Sequence, residues 1–183
     1  MAIFVTAPTL ITVDPGLNAT GWATWQRIGD AQLLVAAGLV QMPASWRVCT
    51  VTDRATEIAR QVLVQAMLVT GPASVQAIAN ATVIELPQQY AVTKGTKGDP
   101  NDLIDLAALC GTIAGALQTA GSRVAYVRPR EWKGQTPKDC TEERARARLQ
   151  PSEMARVLLP KAESLQHNVW DAVGIGLWAT GRK

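Results

Sequence analysis

The chain has 183 residues, 48% hydrophobic and 18% charged, which is long enough for one domain with a substantial core. No segment approaches the roughly 18 consecutive apolar residues that a membrane-spanning helix needs. Residues 1–10 hold neither the positive charge nor the cleavage site of a signal peptide. Three scattered cysteines without a Cys-x-x-Cys pair argue against a zinc site or a disulfide framework. We therefore expect a single cytoplasmic domain spanning residues 1–183, with no membrane partner.

The net charge of +3 is unevenly distributed along the chain. Residues 1–122 carry 6 basic and 8 acidic side chains, whereas residues 123–183 carry 12 basic and 7 acidic ones. The basic excess of the C-terminal third permits a polyanionic partner such as nucleic acid, without requiring one.

Three β-rich runs begin the chain, and the short connections between them favour an antiparallel meander. They cover residues 9–13, 20–26 and 33–40, and an Asp-Pro-Gly turn follows the first of them. Helical spacing of apolar residues then predicts a helix at 52–70, ended by Gly71-Pro72. A fourth strand is predicted at 82–86, followed by a polar, glycine-containing loop.

The second half of the chain predicts more helix than strand. Asp99 as N-cap, Pro100 at the first helical position and Asp102 in the first turn favour a helix that continues to about residue 119. The remaining predicted elements are a strand at 123–127, a basic loop at 128–138 and helices at 141–149, 152–158 and 169–180. This order predicts an α/β fold with a five-stranded mixed sheet, three antiparallel strands followed by two parallel ones, flanked by helices.

The predicted helix at 102–119 carries two sets of residues with helical spacing. An apolar stripe and a row of small residues comprise Leu103, Leu106, Cys110, Ile113 and Leu117, and Ala107, Gly111 and Gly115, respectively. Close packing on the sheet is one use for these faces, and a two-fold contact between two copies of the chain is another.

Three acidic residues fall where the predicted fold can bring them together. Asp14 ends the first strand, Glu85 lies near the end of the fourth, and Asp171 lies in the last helix. Strands one and four are neighbours in the expected sheet, and the last helix can cross their edge. Gathered carboxylates repel one another unless cations lie between them, and such oxygen ligands suit Mg²⁺ or Mn²⁺. Two ions about 4 Å apart can hold a phosphodiester for in-line hydrolysis.

Each of these residues also has a purely structural explanation. An Asp before Pro-Gly commonly forms a turn by binding its own backbone, and a strand Glu before Leu-Pro can face solvent. His167, the one histidine of the chain, lies four positions before Asp171 and can share its helix face. It is suited to metal ligation or proton transfer, and equally to packing at a helix start. Spacing alone leaves these alternatives open.

Four segments, in this order, resemble those of the RuvC-type resolvases. They are residues 13–22 with Asp-Pro-Gly and Thr-Gly-Trp, Val83-Ile84-Glu85, the basic run 129–138, and residues 171–176. The resemblance covers about residues 10–176 and implies an RNase H-like fold, a homodimer and symmetric nicking of a four-way (Holliday) or branched DNA junction. It also implies two Mg²⁺ or Mn²⁺ ions per active site, held by Asp14, Glu85 and Asp171.

The chain departs from the family pattern at two places. The family usually carries an acid or a histidine three residues before the final Asp, where this chain has Asn168. We predict that His167 is the ligand instead, with the carbonyl of Asn168 as the alternative. An aromatic wedge follows the glutamate in some members, and Tyr90 is the nearest candidate here, with a half-buried loop tyrosine as the alternative.

Basic residues in the loops after strands four and five are predicted to contact DNA phosphates. Lys133 and Lys138 match the basic loop of the family most closely, and Lys133 is also predicted to stabilise charge developing on the phosphate. The other predicted contacts are Lys94, Lys97, Arg128 and Arg130. Arg144 and Arg148 lie one helical turn apart and either extend this track or form a solvated face.

Other functions explain less of the sequence. The main alternative is an RNase H-like nuclease that cuts RNA or an RNA–DNA hybrid, because it would use the same acids. An ATP-binding protein of the actin or sugar-kinase type needs a second domain of similar size, for which 183 residues leave no room. A junction-binding protein that no longer cuts is disfavoured because all three carboxylates are present.

Overall fold

The structure is a computed structural model that describes residues 8–70, 81–88, 100–134 and 140–182. Its strands and helices, in chain order, are β1 (Thr9–Asp14), β2 (Ala19–Ile28), β3 (Ala31–Gln41), α1 (Val51–Thr70), β4 (Ala81–Glu85), α2 (Pro100–Thr119), β5 (Arg123–Val127), α3 (Pro129–Trp132), α4 (Cys140–Arg148), α5 (Pro151–Met154) and α6 (Glu163–Ala179). A short 3₁₀ helix at Ala44–Val48 connects β3 to α1. Within these residues, no helix is long and apolar enough to cross a membrane.

The five strands form one mixed sheet in the order β3-β2-β1-β4-β5. The first three strands pair antiparallel, and β4 and β5 are added parallel to β1 and to each other. This confirms the predicted α/β architecture, including the adjacency of strands one and four. Five of the six residues of β1 are buried, as expected for a central strand that is covered on both faces.

Two hydrophobic cores lie on opposite faces of the sheet, because alternate residues of a strand point to opposite sides. Trp25 packs on the side of α4 and α6, together with Trp170 and Ile175. Trp22 lies three residues earlier on the same strand and therefore points to the other side. There it packs with α1 and α2, through residues that include Ile58 and Ile113.

Helix α6 lies directly on the sheet because small residues allow close contact at two points. A Cβ atom added to Gly176 would lie 2.1 Å from the Trp25 indole, and one added to Gly21 would lie 1.9 Å from the Asn168 carbonyl oxygen. Between these points the Thr12 hydroxyl donates a 2.7 Å hydrogen bond to the Ala172 carbonyl. The position of α6 on β1 and β2 is therefore fixed one residue away from Asp171.

Gly174 serves a different contact from Gly176. A Cβ atom at Gly174 would lie 2.5 Å from the Trp132 ring and 3.4 Å from the Thr141 methyl group. Gly176 therefore allows the approach of the helix to the sheet, whereas Gly174 accommodates α3 and α4.

Three predicted boundaries are wrong. The last helix begins at Glu163 rather than at residue 169, so His167 and Asn168 are helical. The predicted helix at 152–158 is only Pro151–Met154, and the residues after it pair with β3. The predicted basic loop at 128–138 contains α3, because Pro129 occupies the first helical position and the Glu131 carboxylate accepts the Arg128 N–H at 2.7 Å.

The segment after α5 covers the free edge of β3. The Ala37 N–H donates to the Arg156 carbonyl at 3.1 Å, and the Leu158 N–H donates to the Ala37 carbonyl at 2.8 Å. Unpaired edge strands invite pairing with other chains, and this segment blocks part of that edge. The predicted N-cap Asp99 and the helix-ending Gly71-Pro72 lie outside the described residues.

Candidate active site

Asp14 and Glu85 lie side by side at one edge of the sheet. Strands β1 and β4 are parallel and pair Val13 with Ile84, so the residue that follows each is at the same strand end. Both carboxylates also act on one neighbour, Cys110 of α2. Burial, with the negative charges of Asp14 and Glu85, raises the pKa of the Cys110 thiol to about 12. The strand ends therefore place two acids within electrostatic reach of one thiol.

Asp171 of α6 is held by Lys133. The Lys133 ammonium donates to both carboxylate oxygens of Asp171, at 2.9 and 3.0 Å, and the two side chains are only 16% and 11% exposed. The same ammonium lies 5.0 Å from the centroid of the Trp132 ring. Lys133, predicted from the basic loop, is thus a direct partner of a predicted metal ligand.

Glu85 is held by the residue that precedes this lysine. The Trp132 indole N–H donates a 2.5 Å hydrogen bond to a Glu85 carboxylate oxygen. The pKa of Glu85 is raised to about 7, because burial and the negative charge of Asp171 outweigh the opposing effects of the Trp132 hydrogen bond and the Lys133 charge. Glu85 is thus within electrostatic reach of Asp171.

Trp132 is a site residue that the sequence analysis missed. Its ring fits against α6 only because Gly174 has no side chain, and its indole reaches a residue 47 positions away. The available signals were an aromatic residue next to Lys133 in the basic run, and an unexplained glycine three residues after Asp171. Neither signal identifies Glu85 as the partner.

His167 and Asn168 are placed differently on α6. His167 lines a cavity of about 590 Å³ together with Asp171, which lies one turn further along the helix. The Asn168 amide donates to the Ala19 carbonyl at 3.4 Å, at the start of β2. The assignment of His167 rather than Asn168 as a metal ligand stays a prediction.

The site fits a divalent cation by its charge and donor type. Asp14, Glu85 and Asp171 supply hard oxygen donors, and the raised pKa of Glu85 reflects buried negative charge that a cation would neutralise. Among the described residues, however, no three His, Cys, Asp or Glu side chains form a ready-made cage for a metal. In this arrangement the Lys133 ammonium and the Trp132 indole engage two of the three acids.

The predicted DNA contacts are only partly described. Arg128 and Arg130 are exposed next to or within α3, beside Lys133. Arg144 and Arg148 are exposed on α4, where both line a second cavity that Lys133 also lines. Tyr90, Lys94, Lys97 and Lys138 lie outside the described residues.

No protein-family model and no curated protein sequence matches the chain. Solved structures do match. RuvC of Thermus thermophilus in complex with a Holliday junction substrate matches with a TM-score of 0.62 at 16% identity, over 95% of each chain. Fowlpox virus resolvase, in complex with Holliday junction DNA, matches with a TM-score of 0.52 at 14% identity, over 96% of this chain and 99% of that one. The yeast mitochondrial Holliday junction resolvase matches with a TM-score of 0.52 at 11% identity, over 94% and 76%. Over almost its whole length, therefore, the chain has the RNase H-like fold of the RuvC-like resolvases.

Proposed function

We propose that the chain is a structure-selective DNA endonuclease that resolves four-way or branched junctions by metal-dependent, symmetric phosphodiester hydrolysis. The observation that carries the proposal is the placement of Asp14, Glu85 and Asp171 around the ends of β1 and β4, with Lys133 beside them. Three structures that match at least 94% of this chain are of proteins named as resolvases or as RuvC.

Mg²⁺ or Mn²⁺ bound by Asp14, Glu85 and Asp171, with His167 as a further ligand, would supply the positive charge that lowers the pKa of an attacking water and stabilises the leaving oxygen. Glu85 has a pKa of about 7 in the absence of a cation, so its proton competes with metal near neutral pH. Trp132 restricts Glu85 to one orientation by its hydrogen bond, because the indole is itself wedged against Gly174.

Lys133 places a positive charge directly beside Asp171. Its ammonium offsets the charge of Asp171, which would otherwise repel a phosphate. An ammonium has three N–H donors, so those not directed at Asp171 can hold a phosphate oxygen and stabilise the charge that develops on it.

A cleavage assay tests the proposal. A labelled synthetic four-way junction is incubated with and without Mg²⁺ or Mn²⁺, beside a linear duplex and an RNA–DNA hybrid. We expect paired nicks in the junction alone, and only with metal. Cleavage of the hybrid but not of the junction would mean that the site belongs to a nuclease acting on RNA or RNA–DNA hybrids. No cleavage of any substrate would favour a protein that binds junctions without cutting them.

Symmetric nicking requires two active sites, and we propose a homodimer that uses the outer face of α2. Residues of its apolar stripe, including Cys110, Ile113 and Leu117, are buried within the chain's own core. This is the use in packing on the sheet that the sequence predicts for one face of the helix. The small residues Gly111 and Gly115 are exposed, and a Cβ atom added to either would meet no described atom within 4 Å. Ile104, nearby on the same helix, is 66% exposed.

Gly111→Glu is expected to convert the dimer into a monomer without unfolding it. The substitution places a carboxylate on each copy of a self-complementary face, while glutamate favours a helix more than glycine does. Sedimentation measures the oligomeric state, and the junction assay should show single, uncoordinated nicks. Thr56→Glu, at an exposed position of α1, is the charge-matched control. A dimer that survives Gly111→Glu would place the interface elsewhere.

A further inference from the structure

A second cavity, of about 330 Å³, lies between α3, α4 and α6, and it shares the wall residue Thr141 with the cavity lined by His167. It shares two wall residues with the candidate active site: Trp132, which binds Glu85, and Lys133, which binds Asp171. We propose that this cavity, called the nucleotide pocket below, binds one nucleotide of the junction. The base of that nucleotide would be unpaired and would lie near the branch point. The proposal rests on the proposed function, since it assumes that the site cuts branched DNA.

Two tryptophans give the nucleotide pocket its aromatic surface. Trp132 of α3 and Trp178 of α6 are both half-buried, and both line the cavity while also packing against the core beneath. The indole N–H of Trp132 is bound to Glu85, which fixes the plane of its ring. Flat, immobilised rings of this kind are the surfaces on which unpaired bases stack, whatever their sequence.

Two arginines give the same pocket its affinity for phosphate. Arg144 and Arg148 lie one turn apart on α4, are exposed, and both line the cavity. The guanidinium of Arg148 donates to the Arg144 carbonyl at 3.0 Å, which leaves other N–H groups of the same fork for a ligand. Lys133 and Arg182 also line the cavity, but carboxylates partly balance their charges. Arg148 is therefore the group best suited to a phosphate, and Arg144 lies one helical turn away from it.

A buried hydroxyl lies in the wall that the nucleotide pocket shares with the cavity lined by His167. Thr141 is 6% exposed and lines the cavity, and its Oγ1 has no hydrogen-bond partner among the residues that the structure describes. Leaving a buried hydroxyl unpaired destabilises a protein, so such groups in native structures usually serve a ligand or a water. The ring nitrogens, carbonyls and amino groups of a base can all pair with a hydroxyl.

The volume and the position favour a nucleotide from the DNA strand. The cavity is at the lower end of the range of small-molecule sites, which suits one nucleotide rather than a segment of duplex. Displacing a base is least costly where it is already unpaired, so the pocket would favour branch points over intact duplex. A free nucleotide has the same chemistry. However, the wall residues Trp132 and Lys133 contact Glu85 and Asp171, which places the pocket within reach of the strand being cut.

The first test determines whether the contribution of Trp178 to binding depends on one particular base of the junction. The Kd of the wild-type protein and of Trp178→Leu is measured in a chelating buffer, for an intact junction and for junctions that each lack one base near the branch point. We expect Trp178→Leu to weaken binding of the intact junction about tenfold, as for loss of one stacked base. That ratio should fall to about one when the base that occupies the pocket is the missing one. An equal ratio at every position, or no loss on the intact junction, overturns the proposal.

Arg148→Ala is the second variant, because Trp178 contacts the core and its replacement can impair folding. Arg146→Ala is the matched control: Arg146 lies on the same helix, pairs with Glu142 at 2.8 Å and stacks on Trp170 rather than lining the pocket. We expect Arg148→Ala to weaken junction binding about fivefold and to reduce its salt dependence, with a smaller effect for Arg146→Ala. Equal effects of the two variants would indicate a general charge contribution and overturn the assignment. Thermal unfolding verifies that each variant is folded.

Free deoxynucleoside monophosphates distinguish the two sources of the ligand. We expect no saturable change in tryptophan fluorescence when they are added up to millimolar concentrations. Saturable binding of a free nucleotide, without base-dependent coupling in the junction, would overturn the strand as its source. Because these measurements record binding, a protein that shows the coupling but never cuts contradicts the proposed function alone. A protein that cuts junctions without the coupling contradicts the pocket alone.

Discussion

Asp14→Asn is expected to reduce junction cleavage about a thousandfold or more while leaving junction binding nearly unchanged. Asparagine keeps the size of the side chain but removes the negative charge that would attract a divalent cation between β1 and β4. A loss of about 4 kcal/mol of transition-state stabilisation corresponds to such a factor. The basic residues of α3 and α4, which are proposed to bind phosphates, are unaffected by this substitution.

Cleavage rates under single-turnover conditions and junction affinity in a chelating buffer measure the two effects separately. Asp30→Asn is the matched control, because Asp30 is an exposed aspartate in the turn between β2 and β3. It should cut at the wild-type rate. Full activity in Asp14→Asn would remove Asp14 from the site, and loss of binding together with cleavage would mean that its role is structural.

The adjacency of Asp14 and Glu85 could be predicted because strand order and strand ends are encoded locally. The Asp-Pro-Gly turn marks the end of β1, and the alternation of short strands with helices makes β4 its parallel neighbour. One residue of register would have moved Glu85 to the other face of the sheet. The observed pairing of Val13 with Ile84 brings Glu85 level with Asp14, as that prediction requires.

The start of α6 could not be predicted from periodicity. Residues 163–168 form its first turns, but they are exposed or half-buried, whereas nearly all residues from Val169 onward are buried. Hydrophobic periodicity detects only the part of a helix that packs on a core. The extended segment around Val157 could not be predicted either, because it pairs with Ala37 of β3, which lies 120 positions earlier in the chain.

Trp132 shows the same limit within the site. Its partners, Glu85 and Gly174, lie 47 and 42 positions away in opposite directions, so only the folded chain brings them together. The resemblance to resolvases predicts roles for Lys133 and Lys138 in this loop, but the structure gives the adjacent tryptophan an equally direct contact with a site carboxylate. Helix α3, in a region that the sequence predicts as a loop, sets the positions of both Trp132 and Lys133.

Arg182→Ala is expected to lower the free energy of unfolding by about 3–5 kcal/mol, the usual loss when one partner of a buried ion pair is removed. Gly181, with φ of 76°, reverses the chain after α6 and directs Arg182 back onto the fold. The Arg182 guanidinium donates to both carboxylate oxygens of Glu153, at 2.6 and 2.8 Å. Glu153 is 2% exposed and also accepts the Leu34 N–H of β3 at 2.7 Å. Without Arg182, a buried carboxylate would have no cation beside it.

The Arg60–Glu57 pair of α1 is the control, because it has similar geometry but lies in solvent. Arg60 donates to both oxygens of Glu57, at 2.7 and 2.6 Å, yet its side chain is 61% exposed. Exposed ion pairs contribute little because water and salt screen them. Arg60→Ala should therefore change the stability far less than Arg182→Ala in the same denaturant titration. Equal losses would mean that burial does not determine the strength of the Arg182–Glu153 pair.

The loss caused by Arg182→Ala should also depend on pH. Burial raises the pKa of Glu153, but the hydrogen bonds from Arg182 and from the Gln150 and Leu34 N–H groups outweigh it and hold the pKa below its ordinary value. A carboxylate with a lowered pKa stabilises the fold above its unfolded pKa of about 4, and this contribution is lost as the pH falls through the folded value. In Arg182→Ala the main opposing group is gone, so burial makes Glu153 easier to protonate and little of this contribution remains to be lost. The difference in unfolding free energy between wild type and variant should therefore be largest near neutral pH and shrink below about pH 4. A difference that stays constant to acid pH would assign the effect to the packing of Arg182 on Trp25, 5.9 Å from its ring centroid, rather than to the ion pair.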